Sequence, residues 1–252
     1  MRHELQALLL RDNPWVENEE ALTPWLESRL PARYIPRETV TRNATQWRAA
    51  NRAHLVVGPR QAGKSTAIWA HLTAVGEAVL FIDCEQPLIQ EWCRSAPLFL
   101  SELESALEGP VPLFFEEAQH LDNAGLFVTG LVDRKVGVPI LVTGSSSFHL
   151  GARVRESLAG RATRCRLLPF SLAEVCADIA EKPPLAFAQL REQRFSRHLA
   201  VGGYPDVWLS DDPAATLTDL GEALVLRDAS DLFRINRPDA FRRLLRLAAT
   251  QV

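Results

Sequence analysis

Hydrophobic residues in the middle of the chain come in short runs that alternate with segments of helical periodicity. Five of these runs, each bounded by Gly, Pro or charged residues, predict β-strands. They are Ala53–Val57, Ala78–Asp83, Val111–Phe115, Val138–Thr143 and Arg164–Leu168. The helices predicted between them are Pro87–Leu107, Leu121–Val132 and Ser147–Leu158. Because strands and helices alternate, we expect a three-layer α/β domain with a mostly parallel sheet.

The region before the first strand has a different pattern. Residues 1–50 carry Trp15, Trp25 and Trp47 on short helical pieces that prolines interrupt. Large aromatic side chains on such pieces bury apolar area against a neighbouring surface. Few basic residues lie between these tryptophans, so packing explains them better than stacking on nucleic-acid bases. We therefore predict that residues 1–50 form a helical extension that packs on a core at residues 51–170.

The region after the core is also predicted to be helical. Helical segments are expected over Leu172–Glu181, Leu190–Ala200 and Ala214–Phe233, with prolines and a Gly202-Gly203-Tyr204-Pro205 turn between them. From Asp239 the chain is amphipathic again, and it reaches Val252 without a capping Gly or Pro. Residues 171–252 are therefore predicted to form a helical lid and the start of a shortened C-terminal region, either as a fragment or as a natural form.

Composition makes some classes of protein improbable. No apolar run approaches the roughly 20 residues that span a bilayer, so no membrane span is predicted and the cytoplasm is the expected compartment. A net charge of −3 and a pI near 6.1 give no general electrostatic case for nucleic-acid binding. The arginines at 242, 243 and 246 are better explained as a solvated helix face. The 4 cysteines lack C-x-x-C spacing, which favours buried thiols over zinc ligands or disulfides.

The most specific motif lies between the first predicted strand and the helix that follows it. The sequence GPRQAGKST fits the phosphate-binding pattern G-x-x-x-x-G-K-[ST]. Glycines let main-chain N–H groups approach a phosphate, which then lies at a helix N-terminus, where negative charge is favoured. Lys64 is expected to bind the β- and γ-phosphates, and Ser65 to bind Mg²⁺. The predicted nucleotide-binding residues are Gly58, Pro59, Arg60, Gln61, Ala62, Gly63, Lys64, Ser65 and Thr66.

Two observations argue against a chance match. An apolar run ends at Val57 and a helical pattern starts directly after Ser65, which is the strand–loop–helix setting of a phosphate site. The chain also prefers arginine, because among its 28 basic residues only Lys64, Lys135 and Lys182 are lysines. A lysine fits between phosphates as a slender point charge, whereas a guanidinium fork is broader. The sequence therefore predicts a nucleotide site at this loop.

Two adjacent carboxylates follow the third predicted strand, where VPLFF leads directly into Glu116 and Glu117. Ligands of such sheets bind at the carboxyl ends of the strands, so both acids are expected near the phosphate-binding loop. Glu116 is predicted to hold Mg²⁺, and Glu117 to orient the attacking water or accept its proton. The competing explanation is that paired acids at the start of a helix only stabilise its dipole, which is a smaller effect.

Small hydroxyl residues end the fourth predicted strand. In ILVTGSSSF, one of Thr143, Ser145 and Ser146 is expected to reach the γ-phosphate or the attacking water, and Ser145 is the favoured candidate. The competing explanation is the ordinary turn-forming tendency of a Gly-Ser run. Ser145 is therefore a predicted γ-phosphate sensor.

The ordered set GPRQAGKST, FFEEAQ, LVTGSSS, LAGRATRCRLLPFSLAEV and AVGGYPDV resembles the prokaryotic predicted ATPases of the AAA+ superfamily that precede a C-terminal domain of unknown function. The resemblance covers roughly residues 50–235. It implies a P-loop NTPase core with strand order 5-1-4-3-2, a helical lid after Ser171, and ATP with Mg²⁺ as ligands. It also implies that Arg161 reaches the γ-phosphate of a neighbouring subunit in a homo-oligomer. An equal alternative is that Arg161 is a surface residue that only supports the next strand.

The sequence departs from this family at Glu116, where Asp is usual before the catalytic Glu. The extra methylene displaces the carboxylate, which permits Mg²⁺ binding but lowers the expected rate of hydrolysis. The first functional prediction is a Mg²⁺-dependent ATPase that acts on an unidentified protein or nucleic-acid client. The alternative is a switch that binds ATP or ADP tightly and hydrolyses little. A small-molecule kinase ranks third, because adjacent carboxylates suit activation of water better.

Overall fold

A computed structural model describes residues 3–107, 109–145, 158–223 and 238–250. The chain divides into two compact units, residues 1–168 and residues 169–252, and each is described by itself. The finer division into parts at 1–50, 51–170 and 171–252 stays a prediction.

The first unit is built on a sheet of five parallel strands. The strands are β1 (Ala53–Gly58), β2 (Leu80–Asp83), β3 (Leu113–Glu116), β4 (Ile140–Ser145) and β5 (Ala162–Arg166). Their order in the sheet is β2-β3-β4-β1-β5. The predicted α/β class, the five parallel strands and the order 5-1-4-3-2 are therefore confirmed. Strand β5 begins two residues earlier than predicted.

Seven helices surround this sheet within the residues that the structure describes. They are α1 (His3–Asp12), α2 (Leu22–Ser28), α3 (Glu38–Trp47), α4 (Lys64–Val75), α5 (Pro87–Trp92), α6 (Ala96–Ala106) and α7 (Ala124–Asp133). The single helix predicted over Pro87–Leu107 is wrong, because α5 ends at Trp92 and Ser95 caps a separate helix by accepting the Leu98 N–H. The helix predicted over Ser147–Leu158 lies outside the described residues, except for Leu158.

Both faces of the sheet are covered. One face carries the side chains of Leu55, Ile82, Phe115 and Val142, which pack against α1, α5, α6 and α7. The alternate residues of the same strands, such as Val56 and Phe114, point to the other face and pack against α2, α3 and α4. This alternation is the period of two that a strand imposes. It produces the three layers that the sequence predicts.

The N-terminal extension covers an edge of the sheet. Strand β2 is an edge strand, and the fully buried Asn13 hydrogen-bonds both backbone groups of Phe81. The Asn13 carboxamide donates to the Phe81 carbonyl at 2.9 Å and accepts the Phe81 N–H at 2.7 Å. The same amide also donates to the Leu9 carbonyl at the end of α1. An uncovered edge would expose unpaired backbone groups, so Asn13 substitutes for a further strand at this point.

The second unit is helical where it is described. Its helices are α8 (Leu172–Val175), α9 (Pro184–Val201), α10 (Pro205–Leu209), α11 (Pro213–Ala223) and α12 (Pro238–Ala249). The helix predicted over Leu172–Glu181 is wrong in length, because a 3₁₀ turn at Ala177–Ile179 follows α8. The helix predicted over Ala214–Phe233 is described only as far as Ala223. Between α9 and α10, Gly203 accepts the Phe170 N–H, and a Cβ there would lie 2.2 Å from the Phe170 carbonyl oxygen.

Candidate functional site

The phosphate-binding loop connects the carboxyl end of β1 to the N-terminus of α4. Gly63 caps that helix in the left-handed region at φ 82°, and Gln61 is left-handed as well at φ 55°. Gly58 does not have a positive φ, so the sequence argument from backbone freedom does not explain it. A Cβ at Gly58 would instead lie 1.9 Å from the carbonyl oxygen of Leu167, which follows β5. Only glycine lets these two strand ends come so close.

Lys64, the first residue of α4, is buried with 4% of its surface exposed. Its Nζ donates to the Pro59 carbonyl at 3.1 Å, which ties the lysine across its own loop. The same Nζ lies 3.6 Å from Oε1 of Glu117. The structure therefore brings together the predicted phosphate-binding lysine and the predicted base.

Glu116 ends β3, and the Ser65 hydroxyl at the start of α4 is near enough to its carboxylate to act on its pKa. Burial raises the pKa of Glu116, the Ser65 hydroxyl opposes that shift, and the nearby Glu117 and Asp83 carboxylates add to it. Asp83 is occupied in its own turn, because its carboxylate accepts from the Glu85 N–H and the Gln86 amide. Ser65 and Glu116 are therefore the adjacent oxygen donors at this end of the sheet.

This donor set fits a magnesium ion. A desolvated carboxylate beside other carboxylates is unfavourable until a cation offsets its charge. Mg²⁺ is usually held in proteins by one or two oxygen side chains, with substrate phosphates and water completing its shell. Within the described part of the chain, no group of three or more His, Cys, Asp or Glu residues is arranged as a metal site.

Glu117 is held in an unusual backbone conformation. Its φ of 50° and ψ of 46° are left-handed, a region that non-glycine residues seldom occupy. Its N–H donates to the hydroxyl of the buried Thr143 on β4 at 3.0 Å. Such strained positions persist where surrounding contacts determine them and are frequent at active sites.

Gln119 connects Glu117 to Ser145, the other predicted site residue on this edge. The Gln119 amide nitrogen donates to Oε2 of Glu117, and its Oε1 accepts the Ser145 N–H at 3.0 Å. Ser145 is buried at the end of β4, and Ser146 lies outside the described residues. Sequence reasoning missed Gln119, although it stands two residues after Glu117 in FFEEAQ.

Arg161 lies at the opposite edge of the sheet. Its carbonyl accepts the Ala53 N–H at the start of β1, whereas the phosphate-binding loop follows the end of that strand. At about 3.3 Å per residue, the strand separates the two by roughly 17 Å. The Arg161 Nε lies 2.6 Å from Oδ1 of Asp133, the last residue of α7, and both side chains are partly exposed. The structure therefore does not bring Arg161 to the site of its own chain.

Arg37 is a second residue that sequence reasoning did not select. It precedes α3, is buried, and donates to the carbonyl of Ala62 in the phosphate-binding loop at 2.8 Å. Its other terminal nitrogen donates to the Leu168 carbonyl after β5. Through Arg37, the N-terminal extension is therefore hydrogen-bonded to the phosphate-binding loop and to the segment after β5.

A strand-to-helix loop with a buried lysine, next to paired acids at the end of a neighbouring parallel strand, defines a P-loop domain of the AAA type. The family model described as "AAA domain" matches residues 50–176, and a model described as "Domain of unknown function (DUF8612)" matches residues 192–252. The chain belongs to the AAA-domain family, and the second match follows the AAA domain as expected.

Curated relatives are similar over 64–77% of the chain. An uncharacterized protein of Methanocaldococcus jannaschii, MJ1544, is 25% identical over 64% of this chain and 37% of its own length. An uncharacterized Haemophilus influenzae protein is 22% identical over 77% of this chain and 50% of its length. Rv2008c of Mycobacterium tuberculosis is 30% identical over 67% of this chain and 36% of its length. The chain thus spans half or less of the length of these relatives.

A solved structure shares the fold. The Walker-type ATPase PABY2304 of Pyrococcus abyssi superimposes with a TM-score of 0.50 at 15% identity, over 82% of this chain and 77% of that one. The family and the fold together support a nucleotide-binding AAA domain. Within the described residues, no helix combines the length and apolarity needed to cross a bilayer.

Proposed function

We propose that this chain binds ATP with Mg²⁺ and hydrolyses it, and that the cycle acts on a protein or nucleic-acid client. The observation that carries the proposal is the convergence of Lys64, Ser65, Glu116 and Glu117 at one edge of the sheet. A phosphate chain at the N-terminus of α4 would meet the loop N–H groups and the charge of Lys64. Ser65 and Glu116 would hold Mg²⁺, which supplies positive charge against the phosphate oxygens when bound.

In this proposal Glu117 is the general base. Its carboxylate accepts a proton from the attacking water, whose oxygen bonds to the γ-phosphorus while the bond from that phosphorus to the leaving ADP oxygen breaks. Ser145 would report the γ-phosphate through β4. Arg161 would serve a neighbouring copy of the chain, which its exposed position at the far edge of the sheet supports. The ion pair with Asp133 would then have to open.

Steady-state phosphate release tests this proposal. We expect Mg²⁺-dependent turnover that Lys64→Ala and Glu117→Gln each reduce by at least about 100-fold, because general-base catalysis alone contributes roughly 10²–10⁴. Arg161→Ala should reduce turnover only under conditions in which the chain associates. Turnover that survives both Lys64→Ala and Glu117→Gln would refute the assignment.

A switch with tight binding and little turnover is the second candidate. It is favoured by the state of Glu117, whose two carboxylate oxygens are engaged by Lys64 and Gln119. The replacement of Asp by Glu at position 116 also favours it. Nucleotide affinity measured beside turnover separates the two candidates, and many turnovers per minute would exclude the switch.

A further inference from the structure

Gln119 lies between two residues of the proposed site, the base Glu117 and the γ-phosphate sensor Ser145. It lies in the 3₁₀ turn at Ala118–His120, directly after the strained Glu117. The turn is closed by the His120 N–H on the Glu117 carbonyl and the Leu121 N–H on the Ala118 carbonyl, both at 3.1 Å. The His120 Nε2 lies 3.3 Å from Oε1 of Glu85, in the loop after β2. Gln119 therefore extends from a turn that two main-chain hydrogen bonds close.

The orientation of the Gln119 amide follows from its partners. The Ser145 main-chain N–H can only donate, so the amide oxygen must face it. The amide nitrogen is then directed at Glu117 and donates to its carboxylate. No other arrangement of the amide satisfies both neighbours. One side chain thus links the end of β4 to the carboxylate of Glu117.

The contacts of Glu117 indicate what the link through Gln119 does. Lys64 is within 3.6 Å of one carboxylate oxygen, and Gln119 donates to the other. Phosphate bound in the loop would compete with Glu117 for the charge of Lys64. Gln119 would then remain the hydrogen-bond donor that orients the Glu117 carboxylate. Any displacement of Ser145 would be transmitted to that carboxylate through Gln119.

We infer that Gln119 is a positioning residue that orients Glu117 for proton transfer and couples that orientation to Ser145. This inference rests on the proposed ATP hydrolysis and deepens it. The two hydrogen bonds of Gln119 go to Glu117 and Ser145, neither of which lies in the phosphate-binding loop. Its loss should therefore lower kcat without changing nucleotide binding.

Two variants separate positioning from packing. Gln119→Glu is nearly isosteric and still accepts the Ser145 N–H, but it faces Glu117 with a second carboxylate. Gln119→Met keeps the volume and removes both hydrogen bonds. We expect each to lower kcat about 10- to 100-fold, because a misplaced catalytic group costs up to about 10² in rate, while KM for MgATP stays within about twofold. A residue that only packs or holds Ser145 would tolerate the change to Glu.

The matched control is Gln90→Ala. The Gln90 amide is also half-buried at this end of the sheet, but it donates to the carbonyls of Cys84 and Glu85. We expect its kcat to stay within about twofold of wild type. Circular dichroism and the thermal midpoint of every variant identify any loss of folding, and the isosteric Gln119→Glu keeps the test decisive if Gln119→Met does not fold.

A double-mutant cycle in single turnover completes the test. If Gln119 acts through Glu117, Gln119→Glu has no further effect in a Glu117→Gln background. Independent, multiplying effects would overturn the inference, as would wild-type kcat in both Gln119 variants. Turnover lost in Glu117→Gln but intact in Gln119→Glu refutes this inference alone. Wild-type protein that binds ATP without any turnover refutes the proposed hydrolysis and the inference with it.

Discussion

Lys64 and Glu117 face each other at the carboxyl edge of the sheet, with the ammonium nitrogen 3.6 Å from a carboxylate oxygen. The lysine is almost completely buried, so this pair and the Pro59 carbonyl satisfy much of its charge in the protein as it stands. A buried cation without such partners would be costly. In the proposed cycle, phosphate in the loop would replace Glu117 as the partner of Lys64, and Glu117 would keep its hydrogen bond from Gln119.

The first prediction concerns Glu116. Burial and the neighbouring carboxylates raise the pKa of Glu116, so its ionised form destabilises the metal-free protein at neutral pH. Glu116→Gln removes that charge, and we expect the thermal midpoint to rise by roughly 2–4 °C, the shift for about 1 kcal/mol in a chain of this size. The increase in midpoint caused by MgATP should be lost. Glu104→Gln, at an exposed position of α6, is the control and should change neither. A lower midpoint in Glu116→Gln would contradict the prediction.

The second prediction concerns Gly58. A Cβ at this position would lie 1.9 Å from the Leu167 carbonyl oxygen, and that backbone cannot move without displacing β5. We expect Gly58→Ala to lower the free energy of unfolding in urea by about 2–4 kcal/mol. Gly221→Ala is the matched control, because its Cβ meets nothing within 4 Å inside α11. The control should raise stability by roughly 0.5–1 kcal/mol. Equal changes in the free energy of unfolding of the two variants would show that the close approach at Gly58 does not require glycine.

The third prediction concerns Asn13. Asn13→Leu keeps the approximate size of the side chain but leaves the N–H and the carbonyl of Phe81 without their partner, whereas the Leu9 carbonyl still accepts the main-chain N–H of residue 13. We expect a loss of about 2–4 kcal/mol, because an unpaired buried polar group costs roughly 1–3 kcal/mol. Asn18→Ala, which removes a single exposed cap, should cost no more than about 1 kcal/mol. Hydrogen exchange of the Phe81 amide should accelerate in Asn13→Leu, and unchanged protection there would contradict the role of Asn13 at the sheet edge.

The fourth prediction concerns pH. Burial lowers the pKa of His54, whose Nε2 donates to the Ala49 carbonyl at 3.1 Å while its Nδ1 accepts from the Thr163 hydroxyl at 2.7 Å. The unfolded chain therefore binds this proton more readily than the folded one. The contribution of His54 to stability is complete above the ordinary pKa of about 6.5 and is lost as the pH falls through the lower folded value.

The test of this pH dependence is His54→Gln, whose amide can make the same two hydrogen bonds without titrating. We expect urea unfolding of this variant to depend less on pH below about 6.5 than that of wild type. Some dependence should remain, because burial also lowers the pKa of His71. Identical slopes of stability against pH in the two proteins would contradict this role of His54.

The five strands could be predicted from the sequence because each is short, apolar and bounded. Their order, which the family resemblance implied, agrees with the structure. The break between α5 and α6 was missed because Leu88, Ile89 and Phe99 continue the apolar pattern across it. Ser95 and Pro97 are the local signal that would have placed it.

Long-range contacts could not be predicted in the same way. Asn13 pairs with Phe81, 68 positions away, and Arg37 with the Leu168 carbonyl, 131 positions away. Periodicity carries no information about such pairs. The proximity of Lys64 to Glu117 could be predicted because parallel strands end at a common edge. The link through Gln119 depends on the turn after β3. The left-handed conformation of Glu117, directly before that turn, cannot be predicted from the sequence FFEEAQ.

The central claim is that Lys64 holds the phosphates and Glu117 activates the water. The direct measurement is the identity and amount of nucleotide bound after incubation with radiolabelled ATP and Mg²⁺. We predict that wild-type protein holds mainly ADP, that Glu117→Gln holds intact ATP in similar amount, and that Lys64→Ala holds neither. ADP on Glu117→Gln in the wild-type proportion, or full binding by Lys64→Ala, would contradict the claim.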